Sequence, residues 1–243
     1  MKSKTKFWIK SITVCGHDIS QNSTIIFRPG LNVIYGPSNT GKSWVLNCID
    51  YMFGAALANL KIQQSLLYES IRMVIVTDNG RITLDRSIHK NTNSVLISST
   101  DDNHPSGTYA TLSSAKMPLL SSFWLTLIGF DNPDELKIIT NKDYTLHRFT
   151  WRSFWHAFYA SENNISSNSS ILLPSQSTAK TSAQAALSTL ITGDDFSQFA
   201  EYTPPKTQKI QVDALIEYLS PLAGQYRERI ERIEHTLEGR DGS

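Results

Sequence analysis

The sequence LNVIYGPSNTGKSWVLNCIDYMFG, residues 31–54, is the part of the chain that says most about its fold class. The apolar run over 31–35 predicts a short β-strand that leads directly into Gly36. From Lys42 onward the apolar residues recur at helical spacing, and Gly54 is placed to end that helix. The loop between them has the pattern G-x-x-x-x-G-K-S, which predicts a phosphate-binding P-loop when a strand precedes it and a helix follows it.

Each part of this loop has a chemical role toward a triphosphate. Gly36 and Gly41 allow unusual backbone dihedral angles and a close approach to the phosphates. Lys42 reaches the β- and γ-phosphates, the Ser43 hydroxyl binds Mg²⁺, and the helix directs its positive end at the ligand. We therefore predict a site for ATP and Mg²⁺ formed by Gly36, Pro37, Ser38, Asn39, Thr40, Gly41, Lys42, Ser43 and Trp44.

Three further side chains could either contact a ligand or have a purely structural role. Trp44 could stack on a ligand, but packing on the face of the helix is the favoured interpretation. Arg86 and Arg152 could contact phosphate or DNA, but a salt bridge at the surface or at the rim of the core is the default for both.

The composition is that of an ordinary globular protein. Of the 243 residues, 40% are hydrophobic and 19% are charged, and the formal net charge of +1 gives no bias toward nucleic acid. Cys15 and Cys48 lie far apart and in no metal-binding spacing, which fits a reducing compartment. Because no apolar run is long enough to span a membrane, we expect a cytoplasmic protein without a membrane partner.

The rest of the chain predicts a mixed α/β domain over residues 1–205. Strands are expected at 7–14, 23–27, 73–76, 82–84 and 95–97, and Asn79-Gly80 indicates a hairpin between the third and fourth of these. We expect a loop at 101–108, a helix at 118–128 and a mobile loop rich in Ser and Asn at 163–182. The aromatic run at 149–159 is read as a strand-like segment packed in the core.

The C-terminal segment, residues 206–243, has a heptad pattern of apolar residues, and Ser220-Pro221 is placed to begin its firm helical part. An amphipathic helix packed on its own domain and the start of a coiled coil both fit this pattern. The apolar positions of this heptad seam are Ile216, Leu219, Ala223, Tyr226, Ile230, Ile233 and Leu237.

Most P-loop proteins carry a second motif, an apolar strand that ends in an Asp near the Mg²⁺. The nearest candidate is the run at 73–78, but Asp78 begins the Asn79-Gly80 turn and is therefore interpreted as a hairpin residue. No Leu-Ser-Gly-Gly-type segment occurs in the chain. The nucleotide site in this chain is therefore expected to be incomplete, because it lacks both of these motifs.

The segment FRPGLNVIYGPSNTGKSWVLNCIDYMFG resembles the start of the ABC-type head of SMC, RecF and RecN-like ATPases. The hairpin followed by ITLDRSI is similar to the arm strands of that family, and RSFWHAFYASENNI is similar to the approach to its Q-loop. The resemblance implies an α/β P-loop NTPase fold: the N-terminal lobe of the head, with an antiparallel β arm and a C-terminal helix that starts a coiled coil.

The chain departs from this family at two positions. Ser38-Asn39 replaces the usual Asn-Gly, so Asn39 is expected to adopt the positive φ of a glycine, which Asn tolerates better than most residues. Glu162 stands where the Q-loop has its glutamine. The resemblance implies that Glu162 would join Lys42 in catalysis and Ser43 in binding the metal, although a solvated surface glutamate is an equally good interpretation.

The resemblance also implies partners and a function. ATP would lie between two copies of the head, and a C-terminal lobe absent from this chain would supply the remaining motifs of a composite ATPase site. The family controls DNA engagement, and the loop variant and the short head suggest bacterial genome defence or repair, such as a Lamassu-type anti-phage subunit with a nuclease partner. The alternatives are a self-contained small-molecule kinase or GTPase-like enzyme using Asp78, and a scaffold that binds ATP without hydrolysing it.

Overall fold

The structure is a computed structural model that divides into two compact units, Met1–Ala200 and Glu201–Ser243. It describes residues 6–18, 20, 22–60, 67–88, 93–114, 116–141, 144–161, 165, 170, 172–173, 177–199 and 208–238.

The first unit is built on a six-stranded antiparallel sheet with the strand order β2-β1-β3-β4-β5-β6. A separate two-stranded antiparallel sheet pairs β7 with β8. All the strands expected from the sequence before residue 100 are present, except the one at 31–35. The strands are β1 (Phe7–Gly16), β2 (Ser23–Ile26), β3 (Tyr68–Thr77), β4 (Arg81–Ser87), β5 (Ser94–Ser99), β6 (Gly107–Ala110), β7 (Lys137–Ile139) and β8 (Leu146–Arg148).

The described residues form five α-helices. The predicted helices after the P-loop and at 118–128 are both confirmed, with bounds that differ by one to two residues. The helices are α1 (Lys42–Met52), α2 (Leu120–Leu127), α3 (Trp151–Phe154), α4 (Ser177–Thr192) and, in the second unit, α5 (Gln208–Glu238).

The hairpin between β3 and β4 confirms the turn predicted at Asn79-Gly80. Thr77 pairs with Gly80 through a backbone hydrogen bond of 2.9 Å, which places Asp78 and Asn79 at the tip. A Cβ on Gly80 would lie 2.9 Å from the hydroxyl oxygen of Thr100, so glycine is needed there for the close approach of the neighbouring chain.

Alternation along β3 explains which face of the large sheet carries the core. Ile71, Met73 and Ile75 are fully buried, whereas the intervening Arg72 is exposed and forms a salt bridge of 2.8 Å with Asp85 on β4. Successive side chains of a strand point to opposite faces, so this period of two places one apolar face against the helices. Burial of that face is the main stabilising term of the first unit.

An aromatic cluster fills the space between the sheet and the helices. Trp124 on α2 is fully buried and lies at its centre, with ring centroids 4.4 Å from Phe53, 5.3 Å from Phe123, 5.7 Å from Trp151 and 5.9 Å from Phe7. The run at 149–159 contributes to this cluster as predicted, but as α3 and a 3-10 turn over Trp155–Ala157. The strand-like interpretation of that run is therefore wrong.

The strand expected at 31–35 is absent. Leu31, Val33 and Tyr35 are 92%, 72% and 91% exposed, and no described strand pairs with this segment. A strand needs a neighbour to satisfy its backbone N–H and C=O groups, and an apolar pattern alone does not supply one.

Two further expectations about helices are wrong. Residues 177–182 belong to α4 and not to the loop expected at 163–182, because Ala and Thr at buried positions of that helix pack against the core. In the second unit, α5 is continuous over Gln208–Glu238 and passes through Pro221 instead of starting there. The φ of proline is compatible with a helix, but an interior proline removes the hydrogen bond to the carbonyl of Glu217 and crowds that carbonyl, so Pro221 is an unfavourable residue within α5.

The heptad seam of α5 is not covered at the described positions. Ile216, Tyr226 and Ile230 are 56%, 46% and 55% exposed, whereas the side chains of Ile233 and Leu237 lie outside the described residues.

Candidate P-loop site

The predicted P-loop adopts the backbone conformation expected of it. Asn39 has a φ of 60° and Gly41 a φ of 84°, both in the left-handed region that glycine enters most easily. The prediction that Asn39 takes the place of a glycine at positive φ is therefore confirmed. The loop from Gly36 to Gly41 is exposed, so its backbone groups are open to a ligand from solution.

The ammonium group of Lys42 joins the two ends of this loop through hydrogen bonds. It donates to the carbonyl oxygens of Gly36, at 2.9 Å, and of Pro37, and it lies 3.3 Å from the hydroxyl oxygen of Thr40. The Thr40 hydroxyl also donates to the Pro37 carbonyl at 2.8 Å. A cation held at the mouth of the loop is placed to exchange these neutral oxygen partners for phosphate oxygens, which are stronger acceptors because they are charged.

Helix α1 begins directly after the loop, and the N-terminus of the helix faces the loop. Gly41 is the N-cap and forms no side-chain capping bond, and no acidic residue lies in the first turn. The first backbone N–H groups of a helix lack intrahelical partners and carry partial positive charge, so they favour an anion. Ser43 lies in this first turn and is exposed. The arrangement can bind a phosphate group through Lys42 and the helix N-terminus together.

Trp44 is packed against the protein, as the favoured interpretation predicted. Its indole N–H donates to the carbonyl of Leu60 at 3.3 Å, and its ring stacks on Tyr68 with centroids 6.2 Å apart. The Trp44 side chain therefore has partners within the protein, and a contact of Trp44 with the nucleotide stays a prediction.

The C-terminal end of α1 is fixed to the sheet by a buried arginine. Arg86 on β4 is 4% exposed, donates to the carbonyls of Tyr51 and of Ala55, the latter at 3.0 Å, and lies 3.6 Å above the Tyr51 ring. Burial lowers the pKa of Arg86 to about 10, so the side chain stays charged at neutral pH. Gly54, with a φ of 99°, ends the helix as predicted.

A second set of contacts holds one flank of α1. Arg152 donates to a carboxylate oxygen of Asp50, and the Tyr159 hydroxyl donates to the side-chain oxygen of Asn47 at 3.0 Å. Asp50 is 4% exposed, so this carboxylate is buried, whereas the side chain of its cation Arg152 is 40% exposed. Arg152 therefore forms the salt bridge that the default interpretation predicted, whereas that interpretation is wrong for Arg86, whose described partners are backbone carbonyls and the Tyr51 ring in the core. Both contact α1 at least two turns from the phosphate end.

The interior of α1 also contains a cysteine. Cys48 is 1% exposed, and burial raises the pKa of its thiol to about 12. It is therefore a core side chain of the helix.

Sequence reasoning missed Asn47, Asp50 and Tyr159 as residues around the site. A signal for the first two was present, because polar residues inside an otherwise apolar helix pattern need partners when they are buried. The identity of those partners comes from a segment about 100 residues away and has no local signature.

Glu162 and Asp78 were both considered as metal ligands, and the structure bears on only one of the two predictions. Glu162 lies outside the described residues, so its role stays a prediction. Asp78 accepts a bond from the backbone of Lys6 at 3.3 Å at the hairpin tip. Trp44 stacks on Tyr68 at the other end of β3, so the ten residues of that strand separate Asp78 from the P-loop by about 30 Å. Asp78 as the metal ligand of a kinase-like enzyme is therefore contradicted.

An antiparallel sheet with helices on its core face and a P-loop opening the first helix is compatible with a P-loop ATPase domain. Comparison with family models gives a match to the family described as AAA domain (AAA_23) over residues 10–240. The match spans nearly the whole chain, so the chain belongs to this family, within the AAA and SMC-like class of ATPases. ATP binding and ATPase activity, generally with Mg²⁺, are properties of that class.

No curated protein matches the chain. Among the helices that the structure describes, none combines the length and the apolar character needed to cross a membrane.

Proposed function

We propose that this chain is the ATP-binding N-terminal half of an SMC-like ATPase head. The observation that carries the proposal is the P-loop itself: Asn39 and Gly41 at positive φ, Lys42 bound across the loop, and α1 starting without a side-chain cap. ATP would bind with its phosphates on this loop and Mg²⁺ on Ser43. Residues 36–44 form the nucleotide site in this proposal.

The unpaired segment 31–35 supports the interpretation that the chain is only part of the head. Its apolar, β-branched pattern is that of a buried strand, yet Leu31 and Tyr35 are more than nine-tenths exposed. Such a segment is an aggregation hazard unless another strand covers it. We propose that a strand of the C-terminal lobe pairs with it and brings the missing Asp-containing motif beside the P-loop.

The same proposal accounts for the second unit and for the partners. The exposed seam of α5, with Ile216, Tyr226 and Ile230, would pack against a returning helix of the same protein as a coiled-coil stalk. Two heads would enclose ATP between them and control engagement of DNA. Bacterial genome defence or repair is the proposed setting, with a nuclease or another defence subunit as partner, as in a Lamassu-type system.

Binding without turnover tests this proposal. We expect residues 1–243 to bind ATP weakly and to hydrolyse it negligibly, because the signature motif and the carboxylate that positions the attacking water would come from the C-terminal lobe and the second head. Calorimetric titration measures binding, and release of phosphate under steady-state conditions measures turnover. Robust turnover that depends on Lys42 would instead favour a self-contained enzyme.

We also propose that Glu162 acts beside the metal. Support comes from Tyr159, whose hydroxyl bonds to Asn47 on the same face of α1 as Ser43, four residues earlier. Glu162 follows Tyr159 by three residues, which span at most about 10 Å, so this sequence separation would permit Glu162 to reach a metal on Ser43. A carboxylate supplies the oxygen ligand that Mg²⁺ prefers.

The metal dependence of ATP affinity tests this role of Glu162. Without Mg²⁺ the carboxylate repels the phosphates, and with Mg²⁺ it binds the cation, so the wild type should gain more affinity from the metal than Glu162→Gln. Titrations of ATP with Mg²⁺ and with EDTA in its place, for both proteins, give the two ratios. Equal ratios would assign Glu162 to the solvated surface.

A further inference from the structure

We propose that the hydrogen bond between Asn47 and Tyr159 transmits nucleotide occupancy from the P-loop to the segment Trp151–Ser161. This inference rests on the proposed function, because it requires that ATP binds at the N-terminus of α1. It assigns Tyr159 as a positioning residue, which acts through α1 and does not touch the nucleotide.

Two side-chain contacts, which we call the α1 clasp, join this segment to α1. The Tyr159 hydroxyl donates to Asn47 at 3.0 Å, and the Arg152 guanidinium donates to Asp50. Asn47 and Asp50 are three residues apart, so they share one face of the helix. The segment is therefore attached to α1 at both of its ends and follows a displacement of that face.

The tyrosine end of the α1 clasp lies close to the phosphate end of the helix. Asn47 follows Ser43 by four residues, which is one turn or about 6 Å along the axis. Phosphate binding recruits the N–H groups of the first turn and withdraws Lys42 from the carbonyls of Gly36 and Pro37. The groups that change their hydrogen-bond partners when phosphate binds therefore lie one helical turn from Asn47, whose side-chain oxygen accepts the bond from Tyr159.

The two ends of the α1 clasp differ in how firmly they are fixed. Asp50 has a side-chain exposure of 6%, whereas Arg152 is 40% exposed and lies 5.8 Å from the ring centre of Trp155, so this end is a charge-assisted contact to a buried carboxylate. Tyr159 is half-buried, and its ring stacks on Trp155 at 6.0 Å with an interplanar angle of 16°. Its hydrogen bond to Asn47 joins two neutral groups, whereas the bond from Arg152 to Asp50 is charge-assisted, so the tyrosine end is the weaker contact and responds first when α1 moves.

Two backbone amides of the segment Trp151–Ser161 are placed so that their hydrogen exchange depends on the Tyr159–Asn47 bond. The backbone N–H groups of Phe158 and Tyr159 both donate to the carbonyl of Trp155 at 3.0 Å. Their exchange with solvent requires the turn to open, and the bond from Tyr159 to Asn47 opposes that opening. Amide hydrogen exchange of these two residues therefore measures the state of the contact without reference to catalysis.

The test compares wild type with Tyr159→Phe, which removes the hydroxyl and keeps the ring on Trp155. Tyr109→Phe is the matched control, because its hydroxyl donates at 2.9 Å to the carbonyl of Pro105, away from α1. MgATP should slow exchange at Phe158 and Tyr159 at least about fivefold in wild type and in the control, but less than about twofold in Tyr159→Phe. By reciprocity, Tyr159→Phe should weaken MgATP binding by up to the same factor of about five.

The outcomes separate the two proposals. Binding of MgATP without any change in exchange at Phe158 and Tyr159, or a change that persists in full in Tyr159→Phe, overturns the coupling alone. A change that disappears equally in Tyr109→Phe also overturns it, since loss of any tyrosine hydroxyl would then suffice. Failure of the wild type to bind MgATP overturns the proposed function, and the coupling with it.

Discussion

Replacement of Lys42 by alanine is expected to abolish useful binding of ATP. The lost interaction is a charge-assisted contact worth about 1.5–3 kcal/mol, which corresponds to a loss of affinity of about 10- to 100-fold before the unpaired phosphate charge is counted. The variant also loses the bonds from the ammonium to the Gly36 and Pro37 carbonyls, so the loop is less ordered before the ligand arrives. Calorimetric titration of MgATP into the variant measures the effect.

Lys116→Ala is the matched control, since it removes an exposed lysine between β6 and α2 and should leave the affinity unchanged. Thermal unfolding of both variants checks that the fold is retained. An unchanged affinity in Lys42→Ala would refute the assignment of this loop as the phosphate site.

Trp124→Ala should have the largest effect on stability. The side chain is fully buried and contacts Phe7, Phe53, Phe123 and Trp151, so its removal leaves a cavity among aromatic rings that cannot all close in. Truncations of this kind cost about 3–5 kcal/mol. A urea titration monitored by circular dichroism gives the change in the free energy of unfolding.

Trp8→Ala provides the comparison for that measurement. Trp8 lies on β1 and is half-buried, so its truncation removes the same number of atoms with a smaller loss of burial. A cost for Trp124→Ala no larger than that for Trp8→Ala would show that the aromatic cluster is not the stabilising centre of the first unit.

Features set by a few adjacent residues were predictable from the sequence. The β3–β4 hairpin follows from Asn79-Gly80 between two β-rich runs, and the helix after the loop follows from its apolar spacing. The positive φ of Asn39 was predictable because the motif requires a left-handed residue at that position and Asn is the side chain that best tolerates it. In each case the structure depends on interactions between residues that are close together in the sequence.

Features that depend on distant or missing neighbours were not predictable. The segment 31–35 has the pattern of a strand, but a strand also needs a partner, and pattern contains no information on that partner. The aromatic run at 149–159 forms α3 because its rings pack around Phe53 and Trp124, a tertiary contact. The partners of Asn47 and Asp50 are likewise set by the fold, more than 100 residues along the chain.

The burial of Cys48 has a practical consequence for spectroscopic work on this protein. With a thiol pKa of about 12, only about one molecule in 10⁵ carries the thiolate at pH 7, and the thiolate is the form that reacts with maleimides. The chain has two cysteines, and the other, Cys15 on β1, is half-buried. A dye or spin label added to the folded, unmutated chain should therefore attach selectively at Cys15 and leave the P-loop helix untouched.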